Sequence, residues 1–129
     1  MERLAQNLFI SAPNISQRSA ITAFDCHDEL EGNVAGYARS RKLLLRELPK
    51  AGIDQFAPAD GAFYLYANVS NLTNDSADFC RRMLDETGVA VTPGIDFDPK
   101  RGNRYMRFSF AGDSTIIAEA MTRLRRWMA

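Results

Sequence analysis

Arg104-Tyr105-Met106-Arg107-Phe108-Ser109-Phe110-Ala111 alternates with the period of two that a half-buried β-strand requires. Met106, Phe108 and Phe110 fall on one face and have a core to join. Tyr105, Arg107 and Ser109 fall on the other. A guanidinium fixed in mid-strand between a tyrosine and a serine suits planar, bidentate capture of a carboxylate or phosphate. The competing role is an arginine that snorkels from the sheet surface or pairs with a nearby Asp or Glu. On this strand alone the surface role is the commoner one.

Working outward, Ala62 to Val69 reads as a second main strand, nearly continuous in apolar residues and so expected to be covered on both faces for part of its length. A short strand is expected near Phe56. Val89 to Thr92 is a further strand, with Pro93-Gly94 as a turn. Asn14 or Ser16 can cap a helix running to about Glu29 or Leu30, which Gly32 breaks. A second helix carries Val34, Tyr37, Ala38, Arg41, Leu44, Leu45 and Leu48 and closes at Pro49 and Gly52. Ser76 caps a helix from Ala77 to about Thr87, with Phe79, Cys80, Met83 and Leu84 inward and Gly88 at its end. Asp113 or Ser114 caps the last helix, with Ile116, Ile117, Ala120, Met121, Leu124 and Trp127 facing the sheet. The fold class is α+β, a two-layer sandwich whose small mixed or antiparallel sheet has helices mainly on one face.

The chain has 129 residues, enough for one domain with a real core. Lys plus Arg equals Asp plus Glu, 16 against 16, so no net field points to nucleic acid or anionic lipid. No apolar run approaches a membrane span of about 20 residues, and the start lacks a basic-then-apolar signal pattern. Cys26 and Cys80 read as reduced cysteines, which gives a cytoplasmic expectation. Leu4, Leu8, Phe9 and Ile10 arrive with no polar lead-in, as in a fragment. Left uncovered, they favour association, and a homo-oligomer, a dimer or larger, is expected.

The order Pro58-x-x-Gly61-Ala62-Phe63-Tyr64-Leu65, then Gly88-Val89-Ala90-Val91-Thr92-Pro93-Gly94-x-x-Phe97, then the Arg107 strand, resembles the C-terminal small domain of pyridoxal-phosphate-dependent aminotransferases of fold type I, classes I and II. Gln6 to Gln17 is similar to the segment that follows the catalytic-lysine region in that family. The resemblance covers nearly the whole chain and implies a single domain, 1–129, whose first 30 or so residues would join a large domain. It implies that Arg107 grips the α-carboxylate of an amino-acid or 2-oxo-acid substrate. It implies that Gly61, Ala62 and Phe63 line the substrate side of the cleft, with Phe63 touching the substrate side chain, and that Pro93-Gly94-x-x-Phe97 closes over the site. Turn geometry alone accounts equally well for Gly61 and for the Pro93-Gly94 pair. Ala62 stands where many relatives carry Gly or Thr.

The same resemblance places the Schiff-base lysine, the pyridine-nitrogen Asp and most phosphate ligands of pyridoxal phosphate outside this chain. A Schiff-base lysine needs a desolvated site or a cationic neighbour. Lys42, Lys50 and Lys100 all read as solvated surface residues. No catalytic or cofactor-binding residue is therefore assigned, and the chain alone is expected to be inactive. The rivals are a non-catalytic interaction domain and a stand-alone module that binds a free amino acid through Arg107.

Asp25-Cys26-His27-Asp28-Glu29 has ligand-type side chains, but helical geometry points neighbours apart and no second Cys or His sits at zinc spacing; it reads as a solvated helix end. Asp96-x-Asp98 lacks the ligand and glycine positions of a calcium loop. No metal site is expected. Arg123, Arg125 and Arg126 suit the C-terminal end of a helix dipole better than a nucleic-acid patch. Arg101 and Arg104 could add positive potential for a dicarboxylate substrate, although solvated loop residues are the commoner reading.

Overall fold

A computed structural model describes residues 2–8 and 10–129. They divide into two compact units, one ending at Val34 and the other beginning at Ala35.

In the first unit lie α1 (Glu2–Leu8), α2 (Asn14–Ala23) and the start of α3 (His27–Glu47). Neither α1 nor α2 buries a residue. Leu4, Leu8, Ile10, Ile15, Ile21 and Phe24 all stand exposed, Phe24 at 89%. Phe9, grouped with them by sequence, lies outside the described residues. The break after α2 is not at Gly32, as the sequence suggested. The N–H groups of Phe24, Asp25 and Cys26 turn back to the carbonyls of Ile21, Thr22 and Ala23 at 3.3, 3.0 and 3.3 Å, and this tightening ends the helix. Asp28 and Glu29 then occupy the first turn of α3, where their charge suits the dipole, so the acidic cluster begins a helix rather than ending one. Gly32 lies inside α3; a glycine there costs about 1 kcal/mol relative to alanine, too little to stop a 21-residue helix.

The second unit holds a four-stranded antiparallel sheet in the order β1-β2-β4-β3, with β1 at Gln55–Phe56, β2 at Tyr64–Asn68, β3 at Thr92–Pro93 and β4 at Tyr105–Ser109. β2 and β4 pair with Leu65 opposite Phe108 and Tyr66 opposite Arg107, and Thr92 of β3 faces Arg107 from the other side. Leu65, Ala67, Met106 and Phe108 point into the core, where each large apolar side chain contributes about 1.5–3 kcal/mol by leaving water. β2 is covered on this face only: Tyr64 and Tyr66 alternate with the buried residues and remain accessible, which corrects the expectation of burial on both sides. β3 is shorter and later than Val89–Thr92. The N–H of Val89 is taken by the Thr87 hydroxyl at 3.1 Å, and Pro93 pairs on an edge strand, where a missing donor is tolerated.

The core face is covered by α3, α4 (Ser76–Thr87) and α5 (Ser114–Met128). Leu44 and Leu48, Phe79 and Met83, and Ile117, Met121 and Leu124 fill the layer. Leu84, at 48%, and Ile116, at 67%, face outward, contrary to the sequence reading. The residue that caps α4 is Asp75, whose carboxylate accepts from the Asp78 N–H at 3.0 Å. The neighbouring Ser76 hydroxyl is spent elsewhere, on the Gly102 carbonyl at 2.9 Å, in a fully buried position. Asp113 caps α5 in the same way. Glu47, nearly buried at the end of α3, gathers Arg46, Lys50 and Arg125 at 2.8, 3.0 and 3.1 Å and so ties α3 to α5. The Lys50 and Arg46 contacts hold its carboxyl below the ordinary range.

Candidate substrate-carboxylate site

The sheet face away from the helices carries Tyr64 and Tyr66 from β2, Tyr105 and Arg107 from β4, and Thr92 from β3. Strand alternation places them there, because residues two apart along each strand share a face. Tyr64, Tyr66, Tyr105 and Arg107, with Phe97, Asp98 and Arg101 from the loop between β3 and β4, line an open cavity of about 470 Å³. Tyr66 stacks flat on Tyr105 with ring centres 5.0 Å apart and meets Phe97 edge-on at 6.4 Å. Burial, with smaller contributions from Asp98 and Tyr105, raises the phenol of Tyr66 above its ordinary value.

The Arg107 guanidinium carbon lies 4.8 Å from the Phe97 ring centre and 5.4 Å from that of Tyr64. Such aromatic neighbours hold a cation in place without using up its N–H donors. One Nη donates to the Thr92 hydroxyl at 3.2 Å. The Nε is buried and has no hydrogen-bond partner among the described residues. No carboxylate pairs with Arg107 among the described residues, so the surface ion-pair role considered from sequence is not what the fold provides. A partly buried guanidinium with an unspent donor is unusual, since leaving a buried donor unmatched costs about 1–3 kcal/mol.

Asp98 organises the loop. Its carboxylate accepts from the backbone N–H groups of Lys100 at 2.9 Å and Arg101 at 3.1 Å, and from the Arg101 guanidinium at 3.1 Å. These bonds, the Lys100 N–H first, hold it below the usual carboxylate range. The turn Gly94–Asp96 that delivers Phe97 presses directly on Gly102. A Cβ built at Gly94 would lie 2.7 Å from the Gly102 carbonyl oxygen and from Tyr105. The Pro93-Gly94-x-x-Phe97 stretch is thus a packed support for Phe97, and its glycine is required by close backbone approach.

Phe63 and Gly61 lie outside the residues that line this cavity. Phe63 is 47% exposed beside Tyr64, and its carbonyl accepts from the Phe110 N–H at 2.8 Å, extending the β2–β4 ladder. A Cβ at Gly61 would meet nothing within 4 Å. The strained position is the next one, Ala62, with φ of 59°. Sequence reasoning did not single out Tyr64, Tyr66 or Tyr105 as site residues. The available signal was tyrosine at spacing two on the strand paired with that of Arg107. Lys42, Lys50 and Lys100 are all exposed, and Lys50 is engaged by Glu47. None of the three has the desolvated setting that a Schiff-base lysine needs. No helix among the described residues is long and apolar enough to cross a membrane.

A family model for aminotransferases of class I and II matches residues 1–124. Valine–pyruvate aminotransferase of Mycobacterium tuberculosis is 50% identical over 127 residues, which are 97% of this chain and 33% of that protein. The (5-formylfuran-3-yl)methyl phosphate transaminase of Methanocaldococcus jannaschii is 38% identical over 128 residues, 98% of this chain and 33% of that protein. A crystal structure of an aminotransferase from Mycobacterium tuberculosis matches 98% of this chain and 33% of its own, with a TM-score of 0.90 and 49% identity. The chain spans about a third of the length of the curated relatives it matches.

Proposed function

The chain belongs to the class I and II aminotransferase family, and from that premise we propose that it is the domain that holds the α-carboxylate of an amino acid and of the matching 2-oxo acid during amino-group transfer. The observation that carries this reading is the Arg107 guanidinium, fixed between Phe97 and Tyr64 with a buried donor unspent. A carboxylate is the planar acceptor that such a fork matches. Holding it fixes the orientation of the rest of the substrate, and orientation accounts for much of the barrier lowering in such reactions. Gly61 and Phe63, just before the start of β2, are proposed to border the bound substrate.

Pyridoxal phosphate, the cofactor the family implies, supplies the electron sink when bound. On this reading its lysine and remaining ligands come from sequence beyond these residues, and the 129-residue chain by itself does not transfer amino groups. Two free cysteines suit a reducing compartment such as cytoplasm. The two relatives named above are described by substrates of unlike charge, valine and a phosphate ester, so their names leave the substrate side chain open.

The test is a titration of the chain with a simple 2-oxo acid, followed through the backbone N–H resonances of β2 and β4. A saturable shift that Arg107→Lys abolishes is expected. No shift at millimolar ligand would remove the assignment. Pyridoxal phosphate added to the chain should leave no borohydride-reducible adduct at stoichiometric yield; such an adduct on one lysine would overturn the second half of the proposal.

One observation favours an additional role. With no residue of α1 or α2 buried, their apolar side chains offer a surface for self-association. Light scattering should then give a mass of two or more chains, and charged substitutions at Ile15 and Ile21 should return the monomer.

A further inference from the structure

Beside the Arg107 cavity lies a second concavity, of about 430 Å³, between the turn that follows β2 and the loop that precedes β4. It is lined by Asn68, Ser70, Asn74, Lys100, Asn103 and Arg104, and it shares Arg101 and Tyr105 with the cavity of Arg107. No carboxylate lines it, although the chain as a whole has as many acids as bases. The acids nearest in sequence are both committed, Asp75 beside Asn74 to the Asp78 N–H as the cap of α4, and Asp98 to Arg101 and two backbone N–H groups. The side chains of Lys100 and Arg104 enter none of the ion pairs among the described residues. Asn68 is spent: its amide N–H donates to the Gln55 side-chain oxygen, and its own oxygen accepts from the Ser70 N–H.

Two uncommitted cations and several neutral donors therefore converge on a concave surface with no acid to balance them. Lys100 and Arg104 on a flat surface would read as solvated charges. Here the fold turns them toward a cleft whose wall, Tyr105, is also a wall of the carboxylate site. Tyr105 and Arg107 are two residues apart on one strand, about 7 Å, and the cleft opens beyond Tyr105. The stacked Tyr66–Tyr105 pair forms an apolar floor between the two sets of cations.

We propose that this cleft is an anion site for the distal carboxylate or phosphate of a ligand whose other carboxylate lies on Arg107. This rests on the Arg107 reading above and names its substrate class as amino and 2-oxo acids with a second anionic group about 7–10 Å from the first. The ligand's spacer lies over Tyr66 and Tyr105, and Lys100 and Arg104 hold its far end with charge-assisted hydrogen bonds.

The experiment is a backbone-amide NMR titration of the chain with adipate, pimelate and suberate, which bracket that span, against heptanoate and inorganic phosphate. Pimelate is expected to bind about tenfold more tightly than heptanoate, the size of effect that one hydrogen bond between charged groups gives. The Lys100→Ala/Arg104→Ala double variant should remove that gain and leave heptanoate binding unchanged. Equal affinities for pimelate and heptanoate, or a gain that survives the double substitution, would overturn the inference. Phosphate should shift Asn74 and Asn103 in the parent chain and not in the double variant; shifts that persist in the variant also overturn it. Failure of the Arg107 reading looks different. Heptanoate would then bind the parent and Arg107→Ala alike, while the phosphate response at Asn74 and Asn103 stayed intact and kept the cleft as an anion site.

Discussion

Gly94→Ala should destabilise the domain and loosen the carboxylate site together. A Cβ at position 94 would sit 2.7 Å from the Gly102 carbonyl oxygen and from both Cβ and the carbonyl oxygen of Tyr105, about 0.7 Å inside ordinary contact at 3.4 Å. Two of the three atoms are backbone, so neither can rotate away. The Gly94–Asp96 and Gly102–Arg104 turns must separate, and overpacking of that kind costs about 1–3 kcal/mol. Separation also pulls the Gly102 carbonyl from the buried Ser76 hydroxyl, now bonded at 2.9 Å, which adds about 1–3 kcal/mol. The sum, about 2–6 kcal/mol, is a large part of the 5–15 kcal/mol that usually holds such a domain together. Urea unfolding followed by fluorescence measures it directly. Trp127 is the sole tryptophan and packs on Phe79 at 5.1 Å, so it reports the core. Gly61→Ala is the comparator, since a Cβ there meets nothing within 4 Å, and it should stay within about 0.5 kcal/mol of the parent. If Gly94→Ala also fell within that margin, the close packing of the two turns would be refuted. The same variant should weaken carboxylate binding several-fold, because Phe97 leaves this turn to lie on Arg107.

Ala62→Gly should stabilise the chain by about 0.5–1 kcal/mol in the same assay, because φ of 59° is strained for alanine and free for glycine; a loss instead would mean that the neighbouring backbone adapts to alanine. Glu47 gives stability that is complete above its ordinary value of 4.5 and drains away as the pH falls through the lower folded value, since the folded carboxyl takes up its proton less readily than the unfolded one. Glu47→Gln should therefore lower stability at pH 7 and flatten the acid limb of a thermal-melt series; parallel curves for both proteins would discount the Arg46–Lys50–Arg125 cluster. Burial pushes the Cys80 thiol up to about 11, so iodoacetamide at pH 8 should label the partly exposed Cys26 well ahead of Cys80, and equal rates would contradict the packed position.

Much of the second unit was legible because its strands obey a period of two with one dry face. Met106, Phe108 and Phe110 were assigned inward and Arg107 outward from spacing alone, and the register of β2 and β4 agrees. Errors cluster where a local preference lost to tertiary contacts. Ser76 resembles a helix cap, yet its hydroxyl serves Gly102 26 residues away, and Asp75 caps instead. Leu84 and Ile116 fit the apolar stripes of their helices but stay exposed, which spacing along a helix alone does not decide. Gly32 was read as a breaker when the tightening at Phe24–Cys26, which has no glycine, does that work. Arg107 was found because a charge in mid-strand is conspicuous. Its aromatic setting was not, since the rings come from Tyr64 and Phe97, far apart in sequence and joined by strand pairing and by the Gly94 turn.

On the role proposed for Arg107, that setting lets one sheet face hold a cation ready for a ligand and still be stable without it. A carboxylate partner from the protein would satisfy the guanidinium and also compete with any substrate. Aromatic faces stabilise the charge by about 0.5–2 kcal/mol each and leave its N–H groups available. Thr92, a neutral acceptor, fixes the direction of the fork at 3.2 Å without neutralising it. The unmatched Nε is then the cost of readiness, recovered when an acceptor arrives. Thr92→Asp separates the two designs. An aspartate at that place would pair with Arg107 and tighten the fold, and carboxylate affinity should fall by about tenfold or more as the ligand meets a neutralised fork. Undiminished affinity in that variant would show that the ligand does not depend on the guanidinium's free charge.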